Sequence, residues 1–147
     1  MKLFNFSNYP SDLFAKPGDK VPNRVGFSKV ASWLNTYSRK NYDRPLFVAM
    51  SADLADSTNI SGFAKGYGSE KDKGLYDKIK NTRSPLFPQG ITEFTNAGMM
   101  AGAATVNFSK NPYDGFNGFY GAASTYGSFS YLKYGPLRLF SQIAQDS

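Results

Sequence analysis

The chain has 147 residues, of which 41% are hydrophobic and 16% aromatic, a composition typical of a folded domain rather than a disordered one. It contains neither cysteine nor histidine, which excludes disulfides, thiolate catalysis, and the residue that most often serves as metal ligand and neutral-pH base. The net charge is +6, and the seventeen basic residues are dispersed along the chain, which favours a solubilising role over a nucleic-acid patch.

Residues 1–22 are predicted to form an extended N-terminal arm or linker, because they combine Pro10, Pro17, Gly18 and Pro22 with little periodicity. The segment lacks the sustained apolar core of a signal peptide. The chain nowhere approaches about eighteen consecutive apolar residues, the length of a transmembrane helix. We therefore expect a cytoplasmic protein with no membrane partner.

The domain is predicted to begin at residue 23 and to extend to residue 147. Apolar residues at helical spacing predict an amphipathic helix over 23–39, which Arg44-Pro45 stops. The compact apolar run at 46–50 predicts a buried strand. The polar loop at 51–59 follows that strand, at the position where open α/β sheets bind ligands.

The second half of the chain has a similar alternation of elements. Residues 61–84 are rich in glycine, serine and charge, and predict a surface excursion. Further predicted elements are a short strand ending at 90–92, a helix of small residues at 93–107, a strand at 116–123, and a helix at 126–145 that Gly135-Pro136 should kink or break. The order predicts an α/β fold, a layered parallel sheet flanked by helices. Because two or three strands make a small sheet, we expect a partial domain, truncated at its C-terminal end or completed by another chain.

Glu93 is the most informative single residue. It places a carboxylate between a short β-branched run and a helix built almost wholly from small residues. A helix built from small residues allows its backbone to approach another helix or a bound molecule closely. An acidic group among apolar neighbours is a candidate for tuned proton chemistry. The structural alternative is a helix-start glutamate that the helix dipole favours.

Three segments resemble one family in order and spacing. Ser51-Ala52-Asp53-Leu54, followed by Ser57, resembles the Ser-Ala-Asp-Leu-x-x-Ser loop of transketolases. Gly90-Ile91-Thr92-Glu93 resembles the strand-to-helix junction of thiamine-diphosphate enzymes, and the aromatic segment from Tyr126 to Leu139 with the following helix resembles the same domain. The match covers about residues 23–147 and concerns the pyrimidine-binding domain, so it implies a thiamine-diphosphate-binding-like fold. The motifs are also similar to the homodimeric pyruvate dehydrogenase first component.

The resemblance implies a role for six residues. Glu93 would be catalytic, because it would bind a ring nitrogen of the cofactor's aminopyrimidine and favour the tautomer that removes the thiazolium proton. Asp53, Tyr126 and Phe129 would contact the cofactor. Arg24 and Ser57 would hold a phosphorylated sugar. From the residues alone, Asp53 can equally be a turn residue, Phe129 a core residue and Arg24 a solvated helix-end charge.

Departures from the family pattern define the expected partners. Phe94 stands where transketolases commonly have histidine, which puts the sugar specificity in doubt. The chain has no Gly-Asp-Gly motif followed by asparagine, with which these enzymes hold magnesium and diphosphate. The resemblance therefore implies a diphosphate-binding domain or chain as partner, a homo- or hetero-oligomer, and no activity of this chain alone. No metal ligand is predicted within the chain itself.

Three functions remain open at this point. The first is two-carbon ketol transfer in carbohydrate metabolism, and the second is a part of a 2-oxo acid dehydrogenase. The third, of another class, is a non-catalytic RNA-binding or structural partner domain. The Gly-, Tyr-, Phe- and Ser-rich stretch at 113–135 is the feature that fits RNA, but it contains almost no Arg or Lys, which disfavours nucleic acid.

Overall fold

The structure, a computed structural model, describes residues 5–68, 74–105 and 119–146. Its helices and strands are α1 (Asn23–Tyr42), β1 (Phe47–Ser51), β2 (Leu86–Phe87), α2 (Glu93–Thr105), β3 (Tyr120–Ser124) and α3 (Tyr134–Asp146). Short 3-10 helices cover Phe6–Asn8, Ser11–Leu13, Ile60–Ala64 and Gly127–Lys133. The strands form a parallel three-stranded sheet in the order β2-β1-β3, so the predicted α/β class is confirmed.

The sheet is covered on both faces, and the alternation of side chains along the central strand β1 decides what packs on each. Ala49 points to the face that buries Ala31 of α1 and Phe63 of the 3-10 helix Ile60–Ala64. Val48 and Met50 point to the opposite face, where they pack with Met100 of α2. The sheet therefore lies between an α1 layer and α2, and α3 packs against α2.

Asn35 is the polar centre of the α1 layer and is completely buried. Its Nδ2 donates to the carbonyl oxygens of Phe47 at 3.2 Å and Phe63 at 2.9 Å. Its Oδ1 accepts from the backbone N–H groups of Leu46 at 3.1 Å and Phe47 at 2.8 Å. The side chain thus uses its full donor and acceptor capacity, and it fixes α1 to the start of β1 and to the 3-10 helix Ile60–Ala64.

The segment 61–84 departs from its predicted role as a surface excursion. Phe63 has no exposed surface, and Tyr67 is buried with its hydroxyl donating to the carbonyl oxygen of Asn35 at 3.1 Å. The Phe63 ring packs edge-on against Phe27 and Phe47, at centroid distances of 5.3 and 5.7 Å. The apolar residues of this segment are isolated in its sequence, but the fold gathers them under α1. The charged stretch 69–73 lies outside the described residues.

The predicted strand ending at 90–92 is wrong, because β2 is the pair Leu86–Phe87. Prolines on both sides explain how short it is, since neither Pro85 nor Pro88 has an N–H for a ladder. The strand predicted at 116–123 is observed as β3, with 116–118 outside the described residues. Residues 106 and 107 of the predicted helix 93–107 also lie outside them.

The helix predicted over 126–145 is divided in the structure. A 3-10 helix covers Gly127–Lys133, and α3 begins at Tyr134. Pro136 lies in the first turn of α3, where its missing N–H costs no helical hydrogen bond. The break is therefore a helix start rather than a kink. In the N-terminal arm, Tyr9 packs against Trp33 of α1 with ring centroids 4.6 Å apart, so that part of the arm lies on the domain.

Candidate functional site

The carboxyl ends of β1 and β2 open into a cleft of about 450 Å³. After β1 the chain continues into the 3-10 helix on the α1 side of the sheet, and after β2 it continues into α2 on the other side. Adjacent parallel strands whose connections leave to opposite faces form the usual ligand crevice of open α/β sheets. Polar side chains, including Ser51, Asp53 and Ser57, line one wall, while Leu86 and Phe87 contribute to the other.

Asp53 lies in a tight turn at the mouth of the cleft. Its φ of 70° is in the left-handed region, which aspartate tolerates better than most residues. Two backbone hydrogen bonds of 2.9 Å fix the turn: the N–H of Asp53 donates to the carbonyl oxygen of Ser51, and the N–H of Leu54 donates to that of Ala52. The Asp53 side chain is exposed, so its carboxylate is accessible from solvent.

Side-chain hydrogen bonds join the loop after β1 to the end of β3. Thr58 Oγ1 is 3.3 Å from Ser51 Oγ and 2.8 Å from Ser124 Oγ. Ser57 Oγ is 2.6 Å from the Tyr126 hydroxyl. Two segments that are about seventy residues apart in the sequence are therefore hydrogen-bonded to each other at one edge of the sheet.

Glu93 is buried at this same edge, with 4% of its surface exposed. It is the first residue of α2, and its Oε1 accepts a 2.8 Å hydrogen bond from Thr125 Oγ1, one residue beyond β3. Asn96, one turn further along α2, is fully buried, and its Nδ2 has no hydrogen-bond partner among the residues that the structure describes. Its Oδ1 accepts from Thr92 Oγ1 at 3.3 Å. A buried carboxylate and an unused buried amide donor thus share one helix end.

Lys133 brings a positive charge close to Glu93. Its Nζ donates to the carbonyl oxygen of Ala123 at 2.7 Å. Burial lowers the pKa of Lys133, and the attraction of Glu93 partly opposes that shift. The carboxylate therefore lies in a partly dehydrated environment with an ammonium group nearby, where electrostatic interactions are stronger than in water.

The structure brings some of the six residues predicted from the sequence to the carboxyl edge of the sheet and leaves others away from it. Asp53 and Ser57 line the cleft, and Ser57 bonds Tyr126 at the carboxyl edge of the sheet. Glu93 lies at the same edge through its bond to Thr125, but neither Glu93 nor Tyr126 is among the residues that line the cleft. Phe129 is half-exposed in the 3-10 helix Gly127–Lys133, with its backbone N–H bonded to the Tyr126 carbonyl at 2.9 Å. Arg24 is exposed in the first turn of α1 and is not among the residues that line the cleft.

Sequence reasoning missed three residues that contact this site. These are Thr125, which binds the Glu93 carboxylate, Lys133, which lies near it, and Asn96. The Ser124-Thr125 pair at a strand end was a usable signal, because hydroxyl residues at that position commonly face a ligand crevice. Lys133 gave no local signal, because its proximity to Glu93 depends on how the 3-10 helix Gly127–Lys133 turns back to the end of β3.

No protein-family model matches this chain, and no curated protein or solved structure does so significantly. Within the described ranges, no helix combines the length and the apolar character that crossing a membrane requires.

Proposed function

We propose that this chain is the pyrimidine-binding portion of a thiamine-diphosphate-dependent, transketolase-like enzyme, with a thiamine-diphosphate-binding type of fold. The observation that carries the proposal is the buried Glu93 carboxylate at the start of α2, held by Thr125 at the carboxyl edge of a parallel sheet. Ser57, Glu93 and Tyr126, one residue from each resembling motif, lie at this edge, although long stretches of sequence separate them.

The residue types at this edge suit the aminopyrimidine half of the cofactor. A flat heterocycle needs an acceptor for a ring nitrogen and an apolar wall. Glu93 would offer the first, and the half-exposed rings of Tyr126 and Phe129 would offer the second. The unused Nδ2 of Asn96 leaves one further buried donor at the same helix end. When bound, thiamine diphosphate supplies an acidic thiazolium carbon and an electron sink for carbonyl chemistry.

The chain's own residues would position that chemistry rather than perform all of it. Thr125 would hold one carboxylate oxygen of Glu93 and fix the orientation of the group, and burial would keep water away from it. The Ser57–Tyr126 hydrogen bond would keep the aromatic wall beside the Asp53 turn. Magnesium and diphosphate would be held by a separate diphosphate-binding domain or chain, which completes the site.

Two-carbon ketol transfer is proposed ahead of 2-oxo acid decarboxylation, because the 51–57 loop resembles the transketolase loop. Within this proposal, the substrate is a small phosphorylated sugar that contacts Ser57 and Arg24. The phosphate group would bind away from the carboxylates of Asp53 and Asp56 at the cleft, because like charges repel.

The test uses the isolated chain and the aminopyrimidine fragment 4-amino-5-hydroxymethyl-2-methylpyrimidine. At roughly 0.3 kcal/mol for each of about ten non-hydrogen atoms, the expected Kd is about 6 mM. NMR titration should perturb the backbone signals of Glu93, Thr125 and Tyr126. Glu93→Gln should weaken binding about tenfold, since the amide oxygen can still accept from Thr125 but a charge-assisted hydrogen bond is lost.

Asp12→Asn is the matched control, because it removes an exposed carboxylate on the N-terminal arm and should leave binding unchanged. Perturbations confined to another surface, or equal affinity of the wild type and Glu93→Gln, would contradict the proposal. Absence of any aminopyrimidine binding would also contradict the proposal.

A further inference from the structure

A second cavity, of about 340 Å³, lies at the opposite edge of the sheet from the cleft. Asp43 and Arg83 line it, and they shortly precede the parallel strands β1 and β2, which places both at the amino edge of the sheet. Arg39, in the last turn of α1, lines the same cavity. We call this cavity the arginine pocket, after Arg39 and Arg83. What it binds does not depend on the proposed function, because it is separate from the edge that carries Glu93.

Both arginine side chains of the pocket are exposed, yet each is held by contacts with the protein. Nη1 of Arg39 donates to the carbonyl oxygen of Gly66, and its guanidinium carbon lies 5.0 Å from the centre of the Tyr67 ring. Nη2 of Arg83 donates to the carbonyl oxygen of Asp43 at 2.7 Å and also to its carboxylate. Because these contacts already restrict the two side chains, less conformational entropy is lost when they bind a ligand.

The rest of the described lining is a fixed stretch of backbone. Gly66 and Gly68 have φ values of 82° and 151°. Asn81 Nδ2 donates to the carbonyl oxygens of Tyr67 at 2.5 Å and Leu75 at 2.9 Å. A Cβ on Gly68 would lie 2.8 Å from Asn81 Nδ2, so glycine is needed at this close approach. The pocket is therefore built by the fold and is not a gap between loose side chains.

Positive charge is concentrated around the pocket, although the basic residues are dispersed in the sequence. Three exposed lysines are each the chain neighbour of a lining residue, namely Lys40, Lys65 and Lys80. Asp77 lies near Lys80 and offsets part of its charge. Within the described lining, the only carboxylate is that of Asp43. An excess of one sign of charge raises the local concentration of ligands with the opposite sign, so the pocket favours an anion.

The Asp43 carboxylate determines which anion suits the pocket. It already pairs with Arg83, so a ligand with a single carboxylate would have to displace a group of its own charge. A phosphate monoester carries about −1.5 to −2 charges at pH 7 and offers three acceptor oxygens. Each guanidinium group has five N–H donors, and acceptors among the described residues engage one of Arg39 and two of Arg83. A phosphate group can therefore bind both arginines at once.

We propose that the arginine pocket binds the phosphate group of a small phosphorylated molecule through Arg39 and Arg83, with Asp43 as a built-in competitor for Arg83. The volume of about 340 Å³ lies at the lower end of the range of small-molecule sites, roughly 300–1,000 Å³, and leaves room for a small organic group beside the phosphate. A nucleic-acid strand instead needs a groove that follows its backbone over several nucleotides.

NMR titration of the purified chain with inorganic phosphate, at low ionic strength, tests the proposal. The backbone signals of Gly66, Tyr67 and Arg83 should shift with a Kd of roughly 0.1–1 mM, and acetate should bind at least about tenfold more weakly. Arg83→Gln should weaken phosphate binding by about 10- to 100-fold, because charge-assisted hydrogen bonds are lost. Arg138→Gln is the matched control, since Arg138 is an exposed arginine of α3 on the other side of the sheet, and it should bind phosphate like the wild type.

Asp43→Asn distinguishes a binding role of the arginine pair from a purely structural one. Asparagine tolerates the φ of 57° at this position, and the substitution removes the competing charge. It should tighten phosphate binding about three- to tenfold. Unchanged or weaker binding by this variant overturns the proposal, as does phosphate binding that Arg83→Gln leaves unaffected. Equal affinity for acetate and phosphate, or a single-stranded oligonucleotide that shifts the same signals at lower concentration than phosphate, also overturns it.

Discussion

Replacing Asn35 by leucine tests whether one buried amide fixes the α1 layer to the sheet. Leucine has a similar volume but can neither donate nor accept a hydrogen bond. In the variant, the N–H groups of Leu46 and Phe47 and the carbonyl groups of Phe47 and Phe63 would lose the hydrogen bonds that Asn35 makes to them. The fold would keep its shape at this point and lose only the hydrogen bonds.

The expected loss follows from those groups. Each buried backbone N–H left without a partner costs about 1–3 kcal/mol, and the carbonyls cost less because they have a second lone pair. After a gain of roughly 1 kcal/mol from the apolar side chain, the net loss is about 3–5 kcal/mol. With total stabilities of about 5–15 kcal/mol for single domains, this is a large fraction of what holds the chain folded.

Urea denaturation followed by circular dichroism measures the effect. At an m-value of about 2 kcal/mol/M, the midpoint should fall by roughly 2 M. Asn41→Leu is the matched control on the same helix, because Asn41 is exposed and only bonds the Tyr37 carbonyl. It should change the free energy of unfolding by no more than about 0.5 kcal/mol.

A third variant checks the direction of the hydrogen bonds. Asn35→Asp keeps the acceptor for Leu46 and Phe47 but turns a carboxylate oxygen toward two carbonyl oxygens, so it should be at least as destabilising as leucine at pH 7. On acidification the new carboxyl gains a proton to donate, and the deficit should narrow. An Asn35→Leu protein within about 1 kcal/mol of the wild type would refute the reasoning.

Three further predictions concern stability, each measured by urea unfolding. Gly62→Ala should cost about 1–3 kcal/mol, because a Cβ there would overlap Ser28 Oγ, whereas Gly26→Ala, with open space around it, should be neutral or stabilising. Burial lowers the pKa of Lys133 in the folded protein. Between that lowered pKa and 10.5 the unfolded chain therefore binds more protons than the folded one, so the free energy of unfolding should rise with pH in this range. Lys133→Met should abolish that gain, and an unchanged pH slope would contradict the assignment. The backbone N–H groups of Lys80 and Ile79 hold the pKa of Asp77 below its usual 3.8. Asp77→Asn should therefore be less stable than the wild type at pH 7, and this difference in unfolding free energy should shrink as the pH falls through the folded-state pKa of Asp77. A difference that does not change with pH would contradict a stabilising role of the ionised carboxylate.

The sequence predicted the elements whose residue patterns are local, namely α1 and β1. The period of the apolar residues located α1, and the compact run at 46–50 located β1 to within one residue. The two-residue strand β2 gave no such signal, because alternation cannot be recognised over two residues between prolines. The burial of Phe63 and Asn35 depends on contacts between segments far apart in the sequence, which no single segment encodes.

The candidate site shows the same division. Glu93, Asp53, Ser57 and Tyr126 were predicted from short motifs, and the fold brings them to one edge of the sheet. Thr125 and Lys133 reach that edge through the path of the chain after β3. The Ser124-Thr125 pair indicates a ligand crevice, but neither Thr125 nor Lys133 is linked by local sequence to Glu93, more than thirty residues earlier in the chain.

The hydrogen bonds of Asn35 also bear on how the molecule assembles. They connect positions only 11 to 28 residues apart, so α1, β1 and the 3-10 helix Ile60–Ala64 can close with a small loss of chain entropy. The register of β1 with β3 joins residues more than seventy positions apart, from Phe47 to Tyr120. We expect residues 23–64 to collapse as an early unit onto which β3 and α3 dock later. Pulsed hydrogen exchange during refolding should then protect the amide of Phe47 before that of Tyr120.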